Sequence, residues 1–326
     1  MKAHGWIVSG VAAICLSAAA FSDAQQTGGL VDARLMPYAQ VGGVSGNLSS
    51  IGSDTLNNLM AFWVEGFSRY YPNVKIQVEG KGSATAPPAL IAGTAQLGPM
   101  SRTMKASEMD SFEKKYGYKP MAIGVALDSL AVFVNKDNPI QRLSFEQIDA
   151  VFSSTRACGA ATGIGNWADL GLTGEWAHSI SLYGRNSASG TYGFFKEHAL
   201  CKGDYKSSVK EQPGSATVVE GVSNDRFAIG YSGIGYRTAG VRAVPLTGLG
   251  STKVFEATPE NVYAGTYPLS RYLYVYINKT PGQPADPLVK QFLMFVLSKE
   301  GQEIVIKDGY IPLPQEVVEV ELKKLE

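Results

Sequence analysis

The sequence predicts an α/β protein built from two lobes, and three observations lead to this prediction. The chain has 326 residues, which is more than one ordinary hydrophobic core requires. Its first half alternates short apolar strands with amphipathic helices, an order typical of parallel sheets with helical crossovers. Two strands, at 130–136 and 273–279, each end in Asn-Lys before a turn that contains proline. Their likeness is either a coincidence between two buried strands or the mark of a chain that crosses between two lobes twice.

The periodicity of apolar residues places the individual elements. Strands are predicted at 48–52, 74–78, 96–100 and 180–183, helices at 56–67, 87–92, 107–116 and 189–199, and a turn-rich stretch at 228–235. We expect residues 46–128 and 262–326 to form lobe I and residues 129–261 to form lobe II, each a β-sheet flanked by helices. A lobe inserted into another through two connections predicts a hinge-bending clamshell that holds its ligand in the cleft between the lobes.

The N-terminus predicts export. A basic start is followed by an apolar stretch at 6–21 and by small residues at 22–24, so residues 1–24 read as a signal peptide cleaved after about Ala24. The apolar stretch is too short to favour a permanent membrane span. We expect a periplasmic protein, and an extracellular location is also compatible with export. The Gly-rich, polar residues 25–45 predict a flexible tail.

Composition excludes several functions. Lys and Arg together number 29, as do Asp and Glu, so no net charge attracts nucleic acid or an anionic membrane. Beyond the signal peptide, Cys158 and Cys201 predict a disulfide in an oxidising compartment, with two free buried thiols as the alternative. His178 and His198 are the only histidines there, so we expect neither a metal site nor another cofactor. The chain contains no GxxxxGK[ST] loop and no GxSxG elbow, so we do not expect an enzyme.

Small residues cluster where predicted strands give way to helices, at 52–55, 82–85 and 184–191. The first N–H groups of a helix lack partners and carry partial positive charge, glycine admits a close ligand, and hydroxyls add donors. Arg185 precedes the third helix start, and a guanidinium fork suits phosphate or sulfate. Ser101 and Arg102 form a fourth candidate. Each cluster alone is also compatible with an ordinary helix cap or turn, but together they predict a receptor for a tetrahedral oxyanion.

At these residues the chain resembles the phosphate-binding proteins of bacterial Pst-type ABC importers, the PstS-like proteins, over about residues 46–314. The resemblance is carried by the segments GSDT at 52–55, LGPMSR at 97–102, GRNSASGT at 184–191, GYSGIGY at 230–236 and YPLSR at 267–271. It implies a periplasmic-binding-protein type II fold that captures inorganic phosphate and passes it to the membrane permease subunits of an ABC importer, without chemistry. We expect the protein to be a monomer.

The resemblance also implies a set of phosphate-binding residues. Arg185, Ser189, Gly190 and Thr191 match the family's most specific element, Ser83 matches a serine at the second strand end, and Ser53, Asp54 and Thr55 cover the first strand end. Ser101 and Arg102 complete the predicted site. We expect Arg185 to be the only strictly required cation, and Arg102 is the alternative candidate for this role.

One position departs from the family pattern. Well-known members carry a buried Asp that accepts the proton of hydrogen phosphate, and Ser101 stands at the corresponding position here. Asp54 is the obvious replacement, and the alternative is that it only caps the helix beside it. Two other functions stay open from sequence: a secreted phosphatase on the same scaffold, and an additional role as a surface adhesion protein.

Overall fold

The computed structural model describes residues 31–326, so the predicted signal peptide and its cleavage site lie outside the described residues. The strands are β1 Asn47–Gly52, β2 Lys75–Gly80, β3 Gly98–Met100, β4 Met121–Asn135, β5 Leu143–Ser144, β6 Ser181–Arg185, β7 Lys210–Gln212, β8 Ala228–Gly233, β9 Val241–Ala243, β10 Leu246–Thr247 and β11 Ser270–Ile277. The α-helices are α1 Asn57–Ser68, α2 Ala86–Ala92, α3 Ala106–Tyr116, α4 Phe145–Phe152, α5 Gly190–His198, α6 Ser215–Asn224, α7 Pro259–Tyr263, α8 Pro287–Leu297, α9 Lys299–Lys307 and α10 Gln315–Lys323. Short 3₁₀ helices lie at Asp54–Leu56, Ser83–Thr85, Trp167–Leu170, Gly174–Trp176 and Ile234–Tyr236. No helix within residues 31–326 is long and apolar enough to cross a bilayer.

A single long strand, β4, joins two halves of the main sheet. The sheet has the strand order β3-β11-β4-β8-β6-β7, with β9 also paired to β4. Residues 121–129 of β4 pair with β11, whereas residues 130–134 pair with β8. We call β3, β11 and the start of β4, with β1 and β2 against them, the first half, and the end of β4 with β6 to β9 the second half. This arrangement agrees with the predicted α/β fold of two lobes.

The chain returns to the first half earlier than the likeness of the two strands suggests. All of β11 pairs with the start of β4, so this strand lies wholly in the first half. The chain re-enters the first half just before β11. At this point the Leu130 N–H donates to the Leu269 carbonyl, and the Tyr267 hydroxyl donates to the Leu130 carbonyl. The lobe boundaries at 128/129 and 261/262 stay a prediction.

The glycine-rich stretch predicted as turns is a buried central strand, β8, followed by a 3₁₀ helix. Its glycines serve close packing here: a Cβ on Gly230 would lie 2.8 Å from Val222 of α6. The neighbouring Tyr231 stacks on Phe195 of α5, with ring centroids 4.0 Å apart. The glycine therefore lets α6 lie directly against the strand, while the Tyr231 ring packs against α5.

Part of the N-terminal segment that the sequence predicts as a flexible tail packs against the core in the described residues. Leu35 and Tyr38 are buried in the main hydrophobic core. The Tyr38 hydroxyl lies 2.9 Å from that of Tyr71 and donates to Gln291 at 2.8 Å. Apolar side chains spaced too irregularly for a helix or strand thus anchor this segment to α1 and α8.

The predicted disulfide between Cys158 and Cys201 is confirmed, with Cα atoms 5.3 Å apart. It joins the loop after α4 to the end of α5. Because the other end of α5 begins with Gly190 and Thr191, the disulfide anchors the helix that carries part of the predicted site.

Candidate oxyanion-binding site

Three strand ends of the first half meet at one edge. β1 pairs with β2 in parallel up to Gly52 and Gly80, and the Ser53 N–H donates to the Pro99 carbonyl of β3 at 2.7 Å. A Cβ on Gly52 would lie 2.1 Å from that carbonyl oxygen, so only glycine permits this approach. The residues that follow these three strands are therefore held side by side.

Three serine hydroxyls converge at this edge. The Ser53 hydroxyl donates to Ser101 Oγ at 3.1 Å, and Ser83 Oγ lies 3.3 Å from Ser101 Oγ. The Ser101 N–H donates to Ser83 Oγ at 3.0 Å, and all three residues are buried. The structure thus brings together serines that the sequence places at separate strand ends.

The start of α5 closes over these hydroxyls from the second half. Ser189 caps the helix by accepting from the N–H groups of Thr191 and Tyr192. A Cβ on Gly190 would lie 2.3 Å from Ser83 Oγ and 2.6 Å from Ser101 Oγ, so glycine is required for this contact. Thr191 Oγ1 lies 3.0 Å from Thr55 Oγ1. The positive end of a helix is therefore aimed at a group of buried hydroxyls.

Arg185, at the end of β6, is buried beside this cluster with a side chain only 1% exposed. Its Nη1 donates to Ser215 Oγ at 2.6 Å and lies 3.1 Å from Asp54 Oδ2, and its Nη2 donates to the Pro213 carbonyl. Its Nε is buried and has no acceptor within residues 31–326. Burial lowers the pKa of Arg185 from its usual value, and the Asp54 carboxylate opposes that shift.

Asp54 reaches across to the second half and does not cap its own helix. Its Oδ2 accepts from the Ser215 N–H at 2.7 Å in addition to pairing with Arg185. The 3₁₀ helix that it begins has no side-chain cap. The carboxylate therefore stands at the junction of both halves, as a binding role requires.

Arg102 is not brought to the hydroxyls. Its guanidinium forms a two-point ion pair with Glu108, at 2.7 Å for each bond, and also donates to the Thr103 carbonyl. These acceptors engage both of its terminal nitrogens, and its side chain lies beside Gly193 of α5, where both residues line a pocket together with Arg271.

Sequence reasoning missed a second buried arginine. Arg271 on β11 donates from Nε and Nη2 to Asp128 Oδ2, at 2.8 and 2.7 Å, and from Nη2 to Thr191 Oγ1 at 3.0 Å. Its Nη1 donates to the Ser101 carbonyl at 3.0 Å. The available signal was Asp128 itself, because an acidic residue inside a long apolar strand is almost never buried without a partner. Arg185 is therefore not the only cation beside the hydroxyls.

The site is rich in donors, buried between two halves of a sheet, and made of side chains from both. Within the described residues no cluster of His, Cys, Asp or Glu could hold a metal ion. Fold and site together define a two-lobed binding protein for a small oxyanion.

Comparison with known proteins places the chain more narrowly. A family model described as a PBP superfamily domain matches residues 38–300. The phosphate-binding protein PstS of Pseudomonas aeruginosa is 58% identical over 296 residues, which are 90% of this chain and 92% of that protein. The chain therefore belongs to the PBP superfamily and, within it, to the family of PstS phosphate-binding proteins.

Solved structures agree with this assignment. A Clostridium perfringens protein described as a phosphate ABC transporter substrate-binding protein, with bound phosphate, superposes with a TM-score of 0.69 at 28% identity. The match covers 82% of this chain and all of that one. An ABC-type phosphate transport receptor from Vibrio cholerae, 23% identical, shares the fold with a TM-score of 0.63 over 82% of this chain and all of its own.

Proposed function

We propose that this protein captures inorganic phosphate in its cleft and delivers it to the permease subunits of an ABC importer. The observation that carries the proposal is Arg185, a buried guanidinium whose Nε has no acceptor among the described residues, beside a convergent group of hydroxyls. A buried N–H group without a protein acceptor costs free energy, and an acceptor supplied by a bound anion removes that cost. Membership of the PstS family supports phosphate as that ligand.

The donors are arranged to bind an anion without reaction. Hydroxyls and main-chain N–H groups come from the strand ends and the start of α5, while the charge comes from arginine. In the proposed site, phosphate contacts are made by Ser53, Asp54, Thr55, Ser83, Ser101, Arg185, Ser189, Gly190 and Thr191. Arg102 is set apart from this group by its ion pair with Glu108.

The direct test is calorimetric titration of the ligand-stripped protein with phosphate and with sulfate. Arg185→Ala should weaken phosphate binding at least tenfold to about a hundredfold, because a hydrogen bond to a charged group contributes roughly 1.5–3 kcal/mol. Arg242→Ala is the matched control, since Arg242 is a half-buried arginine that donates to the Asn138 carbonyl away from the site. Unchanged affinity in Arg185→Ala would contradict this placement of the ligand.

Export and lobe boundaries belong to the same proposal. We propose cleavage after about Ala24 and a periplasmic location, and N-terminal sequencing of the exported protein tests the cleavage site. Lobe I would comprise 46–128 and 262–326, and lobe II 129–261. The exchange of β4's partner from β11 to β8 between Ser129 and Leu130 supports the first boundary.

A further inference from the structure

We infer that Arg271, held by Asp128, is a positioning residue of the anion site. By donating to the Thr191 hydroxyl, Arg271 orients that hydroxyl as a donor toward the bound anion. It also connects the two halves of the sheet by hydrogen bonds on either side of that anion. This inference rests on the proposed phosphate binding and adds a second required cation to it.

Arg271 stands where the two halves meet. It faces Asp128 in the antiparallel register of β11 and β4, one residue before β4 reaches its last pairing with β11. Its donors then diverge, with Nη1 on the Ser101 carbonyl of the first half and Nη2 on Thr191 Oγ1 of the second half. One guanidinium therefore bonds directly to elements that must separate when a cleft opens.

The bond to Thr191 sets the direction of its hydroxyl proton. A guanidinium can only donate, so Thr191 Oγ1 must be the acceptor in this bond. The single proton of Thr191 then points elsewhere, toward Thr55 Oγ1 at 3.0 Å or toward an anion bound beside this pair of hydroxyls. An oxyanion accepts hydrogen bonds, so a hydroxyl held as a donor binds it better than one free to turn its lone pair toward it.

Asp128 holds the guanidinium with one carboxylate oxygen and accepts a main-chain N–H with the other. Its Oδ2 accepts two bonds from Arg271, and its Oδ1 accepts from the Ile234 N–H at 3.0 Å. The residue has no exposed surface. A carboxylate with both oxygens bonded within the protein fixes the orientation of its partner, as carboxylates beside functional groups commonly do.

The test is a set of phosphate titrations by calorimetry, with unfolding of the phosphate-free protein measured in parallel. Removing Arg271 alone would leave Asp128 buried and unpaired, so the main variant is Arg271→Met with Asp128→Asn. We expect this variant to bind phosphate about tenfold to a hundredfold more weakly, and Thr191→Val to lose a similar factor. The triple variant combines Thr191→Val with the main variant. Its fold loss of phosphate affinity should be at least threefold smaller than the product of the two separate losses, because both changes act through the same hydrogen bond. Thr191→Ser keeps the hydroxyl and should recover most of the phosphate affinity that Thr191→Val loses.

Two further variants keep the test decisive. Arg271→Lys retains the charge but cannot bond Asp128, Ser101 and Thr191 together, so it should bind about tenfold more weakly even if the main variant does not fold. Arg242→Met should change the free energy of unfolding without changing phosphate affinity, which separates the loss of a half-buried, hydrogen-bonded arginine elsewhere from the loss of Arg271. Wild-type affinity in Arg271→Lys or in the main variant, or losses that simply multiply in the triple variant, would overturn the inference. If the wild-type protein itself fails to bind phosphate, the proposed function fails and this inference with it.

Discussion

At the residue scale, the two carboxylates beside the hydroxyls differ in the oxygen atoms they leave for a ligand. Both oxygens of Asp128 are bonded within the protein. Asp54 uses Oδ2 for Arg185 and Ser215, and its Oδ1 makes no hydrogen bond to any residue in 31–326. Asp54 Oδ1 is therefore open to accept a hydrogen bond from a ligand, and the role of Asp54 as the proton acceptor stays a prediction.

This difference predicts the anion selectivity. Hydrogen phosphate has a proton to donate to Asp54, whereas sulfate would set an oxygen lone pair against the carboxylate. We expect Asp54→Asn to narrow the ratio of phosphate to sulfate affinity by about tenfold or more, because the amide donates to sulfate. Competition titrations of both anions measure the ratio, with Asp204→Asn as the control, since Asp204 is an exposed carboxylate paired with Lys196. An unchanged ratio would place the discriminating acceptor elsewhere.

At the scale of elements, helix ends decide how the halves meet. The N-terminus of α5 reaches the hydroxyls because Gly190 has no side chain, and its C-terminus is tied by the disulfide. The end of α9 packs on the second half, where a Cβ on Gly235 would lie 2.6 Å from the Asp308 carbonyl. At this end, Asp308 Oδ2 is buried and has no partner among the residues described.

Asp308 predicts a pH dependence of stability. Burial raises its pKa to about 7 from the model-compound value of 3.8. Between these two values the folded state holds a proton that the unfolded state has lost, so stability falls as pH rises from about 4 to 7. We expect Asp308→Asn to stabilise the protein by roughly 1–3 kcal/mol at pH 8, with the gain disappearing near pH 4.

Urea unfolding of both proteins across this pH range measures the effect. Asp110→Asn, in the exposed part of α3, is a control that should give no such pH-dependent gain. A gain that stays constant with pH would show that the Asp308 carboxylate is not the titrating group.

At the scale of the whole molecule, β4 and the residues before β11 are the connections that link the halves, while one disulfide stabilises the second half. Cys158 and Cys201 are 43 residues apart in sequence. Closing a loop of this size restricts the unfolded chain. The disulfide lies beyond the far end of α5 from the cleft, so it should act on stability more than on binding.

Replacing both cysteines by serine should lower the free energy of unfolding by roughly 2–4 kcal/mol, because the unfolded chain regains the freedom that the cross-link removes. Phosphate affinity should stay within a few-fold of wild type. Denaturant unfolding of the oxidised wild type, the reduced wild type and the double variant measures this. Equal stability of the three, or a loss of affinity as large as that from Arg185→Ala, would contradict the prediction.

Local sequence patterns were enough to predict the strands and helices around the cleft, the disulfide and the serines at the strand ends. These features depend on periodicity, on caps and on short motifs, which neighbouring residues encode. The same reasoning mistook β8 for turns, because glycine content does not show what packs against a strand. It also did not foresee that Leu35 and Tyr38 lie in the core, because their irregular spacing gives no periodic signal.

Which charged side chains meet at the site became clear only from the folded chain. Arg271 reaches Thr191 across 80 residues of sequence, and Asp54 reaches Ser215 across 161. The structure also shows that Arg102 is paired with Glu108 in the first turn of α3 and is not among the hydroxyls. From the sequence alone, strand ends and helix starts were predicted to form an oxyanion-binding edge. The pairing of its arginines and carboxylates follows from sheet register and from the contact between the two halves, which no local pattern records.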